Sequence, residues 1–398
     1  MPEVEPQWID DAAGFAAVCA ELMDVDAYAF DTEFHRERTY WPHVALVQLA
    51  WADRAVLVDP LAVDLAPFAA VLRDGGVLVA HAPEQDIEVL HRSCGAVPRE
   101  LFDTQVAAGF MGFSSPSLGT LTQQVLGVRL PKADRLTDWT RRPLAATQVQ
   151  YAAADVTHLL ELRRRICDRL GPAGRLPWAL EECRVLLARS IPNPDPATAW
   201  WRMKEARSLR GPVRGIAQAV AEWRERTAMR VDRPARFVLA DMAMASIVHR
   251  APERPDDLRE IRGLDTRSLR PDAVQRLLAA VRRGREMPES ELRLPPAADL
   301  DRDLRPAVAL VASWIAQLAR DVRIDATLLA TRGDISALLR KDPDARLATG
   351  WRAELLAEPV RRLVDGEAAL AFGGSGELVL EARSHEPVDV RLPPLSEG

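Results

Sequence analysis

The stretch AYAFDTEFHRERTYWP, residues 27–42, runs from apolar residues into two acids one residue apart, Asp31 and Glu33. In an extended strand residues i and i+2 share a face, so both carboxylates project together while Phe30 and Thr32 face the other way. Such a pair must be solvated, share a proton or bind a cation. Mg2+ prefers one or two carboxylates supplemented by water and phosphate oxygens. A third acid, Asp86, falls within the first turn and a half of the helix expected after VLVAH (77–81), where an acid also complements the helix dipole. Glu84 and Glu88 are rival acids on that helix. In YAAADVTHLL, Tyr151 and Asp155 stand four apart and share one helical face, with Ala152, Ala153 and Ala154 leaving room for close approach. Each feature by itself has an ordinary reading: a solvated strand end, a dipole-complementing acid, a helix-surface pair.

The elements that must position these residues are legible from periodicity. Apolar runs at 27–34, 43–51 and 54–60 follow one another closely and predict an antiparallel meander. Helices are expected over 63–74, ended by Gly75-Gly76, over 82–95, stopped by Gly95, and over 117–127. A buried strand is expected at 77–81, and one long helix over 143–170. Sheet and helices in this order make an α/β layered domain. The proline-rich segment 189–200 reads as a linker, and beyond it only helices are expected. At a constant offset of 91, Trp223 aligns with Trp314, Val231 with Val322, Phe237 with Leu328 and Pro252 with Pro343, which suggests two copies of one small helical module. Residues 287–306 read as a second linker and 384–398 as a loose tail.

At 398 residues, 48% hydrophobic and 28% charged, the chain is long enough for two or three domains. Cys19, Cys94, Cys167 and Cys183 are far apart, which argues against a zinc site or a disulfide framework. With no apolar run of membrane-spanning length and an acidic, signal-free N-terminus, the expectation is a soluble, cytoplasmic protein with no membrane partner. The net charge of −6 hides an uneven distribution: residues 201–286 hold 20 basic and 12 acidic groups, and the rest of the chain is acidic. Arginine supplies 49 of the 52 basic residues, a bias that makes arginine counts alone uninformative about nucleic acid.

Taken jointly, FDTEF, LVAHAPEQDIEVL and YAAADVTHLL resemble, in order, spacing and context, the three motifs of the ribonuclease D group of DEDD-type 3′→5′ exonucleases. The flanks TYWPHVALVQLA and DWTRRPLAATQVQYAAADV match as well, and the helical repeats resemble HRDC domains, the first better than the second. The resemblance implies a ribonuclease H-like α/β exonuclease domain with a mixed sheet over 1–190, an HRDC domain over 201–286 and a divergent all-α HRDC-like domain over 303–385. It implies that Asp31, Glu33, Asp86 and Asp155 hold two divalent ions, Mg2+ or Mn2+, about 4 Å apart for two-metal hydrolysis, while Tyr151 orients the attacking water. The implied substrate is RNA, cut from its 3′ end to nucleoside 5′-monophosphates, with tRNA precursors or other structured RNA as the class. A DNA exonuclease and an inactive nucleic-acid scaffold are the alternatives; the oligomeric state is left open. Trp41, Gln48, His81, Lys132 and Arg142 are candidate substrate contacts beside the motifs, by stacking or phosphate binding.

Overall fold

The computed structural model describes residues 5–131, 137–191, 194–264, 270–295 and 302–384. Among them a six-stranded sheet is built from β1 (Gln7–Ile9), β2 (Ala27–His35), β3 (His43–Trp51), β4 (Arg54–Val58), β5 (Val77–Ala80) and β6 (Leu101–Asp103), in the order β1-β4-β3-β2-β5-β6. β2–β3 and β3–β4 are antiparallel, the expected meander, while β1, β5 and β6 add in parallel. β1 and β6 are three residues long, too short to show a period in sequence.

Helices α1 (Ala12–Met23) and α2 (Phe68–Asp74) flank the sheet on the side where Phe30 stacks on Phe68, with centroids 6.1 Å apart, and Phe15 and Tyr28 complete an aromatic cluster. β5 leads into α3 (Glu84–Cys94), which ends at Gly95 in the left-handed conformation that glycine adopts without strain. After α4 (Thr104–Gly109) and α5 (Leu118–Leu126), α6 (Ala146–Thr157) covers the opposite face of the sheet, packing Ala152 and Val149 onto Leu46 and Leu57. The long helix expected over 143–170 is in fact two, α6 and α7 (Leu159–Leu170), interrupted at His158. The Thr157 hydroxyl turns back to the Ala153 carbonyl at 2.6 Å, a bond that competes with regular helix at this point. α8 (Leu176–Ser190) follows.

Beyond it α9 (Pro212–Val231), α10 (Ala235–Val238), α11 (Asp241–Arg250) and α12 (Pro271–Arg285) enclose a core of Trp200, Ile216, Val220, Ile247, Leu277 and Val281. The pattern recurs in the helices Arg305–Val322, Ala326–Leu329 and Arg332–Leu339, the last two beginning 91 residues after α10 and α11. Helix α9 and its counterpart both end in left-handed caps, Asp232 and Arg323. One element departs from the all-helical expectation: a hairpin of β7 (Ala368–Phe372) and β8 (Leu378–Ala382), closed through Gly374 and Gly376 at positive φ. AALAF has no β-branched residue to announce a strand. By contact the described residues form two compact units. One comprises the chain up to Thr104, Leu118–Arg165 and the chain from Leu180 through the first helical module; the other comprises Gln105–Ser117, Ile166–Ala179 and the C-terminal helices and hairpin. No helix among the described residues is long and apolar enough to cross a membrane.

Candidate active site

Strand alternation puts Asp31 opposite Gln48 and Glu33 opposite Leu46, all on the face that α6 covers. From α6 come Tyr151 and Asp155, one turn apart, with the phenol donating a hydrogen bond to the Asp155 carboxylate. Thr32 faces the other way and donates its hydroxyl to the buried Asp86 carboxylate in the first turn of α3. Strand, first helix turn and helix face thus bring four acids and a tyrosine into one cluster, with Asp86 and Asp155 both acting on Asp31 and Glu33. The rival acids of α3 point elsewhere: Glu88 pairs with Arg36 at 2.7 Å and Glu84 with Arg189 at 3.6 Å.

Burial, then mutual repulsion, sets the protonation of the cluster. Glu33 is pushed up to about 8 by burial and by Asp155 and Asp86; burial raises Asp155 to about 7 against the opposing hydrogen bond from Tyr151. Asp31 is held well above the usual carboxylate range by burial, Asp86, Asp155 and Glu33, and Asp86 is raised by burial despite Thr32. Burial and the acids push the Tyr151 phenol upward, so it stays neutral. Among the described residues no arginine or lysine forms an ion pair with any of the four. Nor, as they stand, do three acidic, histidine or cysteine side chains converge tightly enough to enclose an ion. An open group of repelling carboxylates, all oxygen donors, fits a hard divalent cation, whose charge would favour ionised acids drawn closer together.

The chain matches the 3′-5′ exonuclease family model over residues 6–170 and the HRDC domain model over residues 213–281. It is 36% identical to ribonuclease D of Granulibacter bethesdensis, over 93% of this chain and 95% of that protein. To ribonuclease D of Escherichia coli it is 34% identical, over 89% of this chain and 96% of the other. The chain belongs to the ribonuclease D family. Its fold superposes on the crystal structure of the E. coli enzyme, described as an exoribonuclease involved in structured RNA processing, with a TM-score of 0.79 and 32% identity over 91% of this chain and 99% of that one. Like the rest of the ribonuclease D family it is a 3′→5′ exoribonuclease, and the family depends on divalent metal.

Around the ribonuclease D acid cluster, the secondary candidates fare differently. Arg142 is not free for phosphate: its guanidinium makes two 2.6 Å bonds to Asp59 and others to the carbonyls of Ala45, Trp139 and Arg141. It anchors the approach to α6 onto the sheet. Gln48 is fully buried beside Asp31, out of reach of a substrate, and neither amide atom has a partner among the described residues. The His81 ring is bonded to the Thr104 hydroxyl at 2.9 Å. Trp41 has one face covered by the Arg92 guanidinium, 3.6 Å from the ring centroid, and its edge against Tyr40. Lys132 lies outside the described residues. Sequence reasoning missed Thr32, which holds Asp86 and whose signal was only its place between two acids. It also missed Asp232 and Glu225 of the first helical module. Asp232 accepts from the backbone N–H groups of Tyr40 and Trp41 at 3.0 Å and bonds His43 at 2.6 Å, while Tyr40 donates its hydroxyl to Glu225 at 2.5 Å.

Proposed function

We propose that this chain shortens structured RNA, such as tRNA precursors, from the 3′ end in the cytoplasm, releasing nucleoside 5′-monophosphates at the cluster of Asp31, Glu33, Asp86, Tyr151 and Asp155. The observation that carries the reading is the convergence of four acids and a neutral tyrosine from β2, α3 and α6, with no cationic residue among the described ones to balance them. The four carboxylates would hold two divalent ions, Mg2+ or Mn2+, which when bound supply Lewis acidity at the attacking and leaving oxygens. Thr32 fixes the Asp86 carboxylate, and Asp31 and Glu33 project together from within β2. Tyr151 is too weak an acid to be ionised near neutrality. Its phenol therefore orients the attacking water by accepting a hydrogen bond, rather than removing a proton. The Asp155 carboxylate accepts a hydrogen bond from the phenol and sets the ring's direction.

End-labelled RNA and DNA oligomers of matched sequence, with free and blocked 3′ ends, test polarity, sugar preference and exonucleolytic character together. RNA with a free 3′ end should be shortened stepwise in Mg2+, and the blocked strand spared. Asp155→Ala should abolish release of mononucleotides while RNA binding persists; wild-type rates in that variant would remove Asp155 from the site.

A further inference from the structure

Next to the acid cluster lies a buried amide whose bonding is incomplete. Gln48 sits in β3, a central strand paired with β2 on one side and β4 on the other, so the backbone groups around it are committed to the ladders. The residue is fully buried, and both amide atoms, Oε1 and Nε2, lack a partner among the described residues. Turning the amide over would only exchange one unmet atom for the other. Buried groups of this kind are almost always paired in folded proteins, so two unmet donors and an unmet acceptor call for a reason.

Strand register fixes what the amide can reach. Gln48 lies directly opposite Asp31 on β2 and Leu57 on β4. Leu46 and Ala50 flank it along β3 on the same face, and Leu46 and Leu57 join Ala152 of α6 in one apolar cluster. Asp59, just past the end of β4, has both carboxylate oxygens taken by Arg142. The acceptor left beside Gln48 on the sheet is Asp31. Cβ atoms of directly opposed residues stand about 5 Å apart, a gap that a glutamine side chain spans.

Asp31 has a matching need. Thr32 donates its hydroxyl to Asp86 and Tyr151 its phenol to Asp155, whereas Asp31 has the backbone N–H of Thr32 and no side-chain donor among the described residues. The strand fixes where the Asp31 side chain starts but not the plane of its carboxylate, because that terminal torsion is soft. We propose that Gln48 is a positioning residue of the reaction centre: its amide N–H donates to one Asp31 oxygen and turns the other toward a bound divalent ion. A hydrogen bond from behind commonly orients a metal ligand in this way. The proposal rests on the reading of the cluster as a metal-dependent exonuclease centre and deepens it. Gln48 acts through Asp31, with no contact to RNA.

The test compares the full chain with Gln48→Leu, which fills similar space without the amide. An unmet amide has no bond to lose, so the melting temperature in chelator should be unchanged or higher. Titration calorimetry with Mn2+ on chelator-stripped protein should show about tenfold weaker binding. On a short RNA at saturating metal, kcat should fall about tenfold with KM unchanged, since no substrate contact is removed. Gln48→Met, whose flexible chain adapts to the site, carries the same measurements if the leucine variant fails to fold. Wild-type Mn2+ affinity and kcat in the folded variant would overturn the proposal. So would a melting temperature lowered in chelator in both variants, which would make the amide a part of the core alone. A wild type that binds Mn2+ but leaves RNA intact would instead refute the exonuclease reading, with the Mn2+ comparison still deciding Gln48.

Discussion

Each of the five residues in the acid cluster is placed by a local rule: strand alternation for Asp31 and Glu33, the first helical turn for Asp86, i,i+4 spacing for Tyr151 and Asp155. That is why they were legible in sequence. Arg142 and Gln48 were misjudged because nothing local sets their surroundings: the partner of Arg142 is 83 residues away, and Gln48 is buried by a helix a hundred residues downstream. The cluster also carries a linkage consequence. Glu33 at about 8 and Asp155 at about 7 hold their protons in the metal-free folded state well above the ordinary carboxylate value of ~4. The folded state therefore binds more protons than the unfolded chain between about pH 4 and pH 8, and stability must fall as pH rises through that window. Divalent cations held at the proposed site would select the ionised form and release those protons, so their stabilisation should grow with pH. Thermal unfolding in a chelator should show a melting temperature that drops from about pH 6 to about pH 8, and millimolar Mg2+ should raise it more at the higher pH. A Mg2+ effect equal at both would contradict the cluster as the binding site.

Elements with a strong period came through in sequence: the meander, α3 with its terminal glycine, and the repeated helices. What escaped were very short strands, the interruption at His158 and the grip between loop 36–42 and the first helical module. That loop follows β2, the strand that carries Asp31 and Glu33, and holds Trp41. Asp232 can hold it because the left-handed end of α9 turns the side chain onto two successive backbone N–H groups and His43. Such a contact has no sequence signature, since it depends on a cap meeting a loop 191 residues away. Asp232→Ala leaves those donors unpaired and should loosen the loop by roughly 1 kcal/mol. We expect kcat/KM to fall about tenfold, on short single strands as well as on structured RNA. Protease cleavage within 36–42 should increase alongside. A loss confined to structured RNA would mean that the loop does not shape the reaction and that Asp232 serves only the module's own binding.

Across the whole molecule, linear order is a poor guide to what folds with what. The proline-rich stretches at 189–200 and 287–306 suggested separate beads, yet the unit holding the C-terminal helices also takes in Gln105–Ser117 and Ile166–Ala179. Its aromatic centre shows why. Trp351 is buried, stacks on Trp178 at 5.2 Å with a 17° interplanar angle, and meets Phe110 edge-on at 5.2 Å. Trp178 and Phe110 belong to the first 180 residues of the chain, where an aromatic residue reads as ordinary core; only the structure pairs them with a tryptophan far along the sequence. The C-terminal helices therefore share a core with two segments from the first 180 residues of the chain. Trp351→Ala should remove about 3–5 kcal/mol from that core. The loss should appear as a lower-melting transition and as faster hydrogen exchange in residues 105–117 and 166–179, not in the C-terminal helices alone. Exchange that rises only beyond residue 302 would show instead that the two early segments are held independently of Trp351.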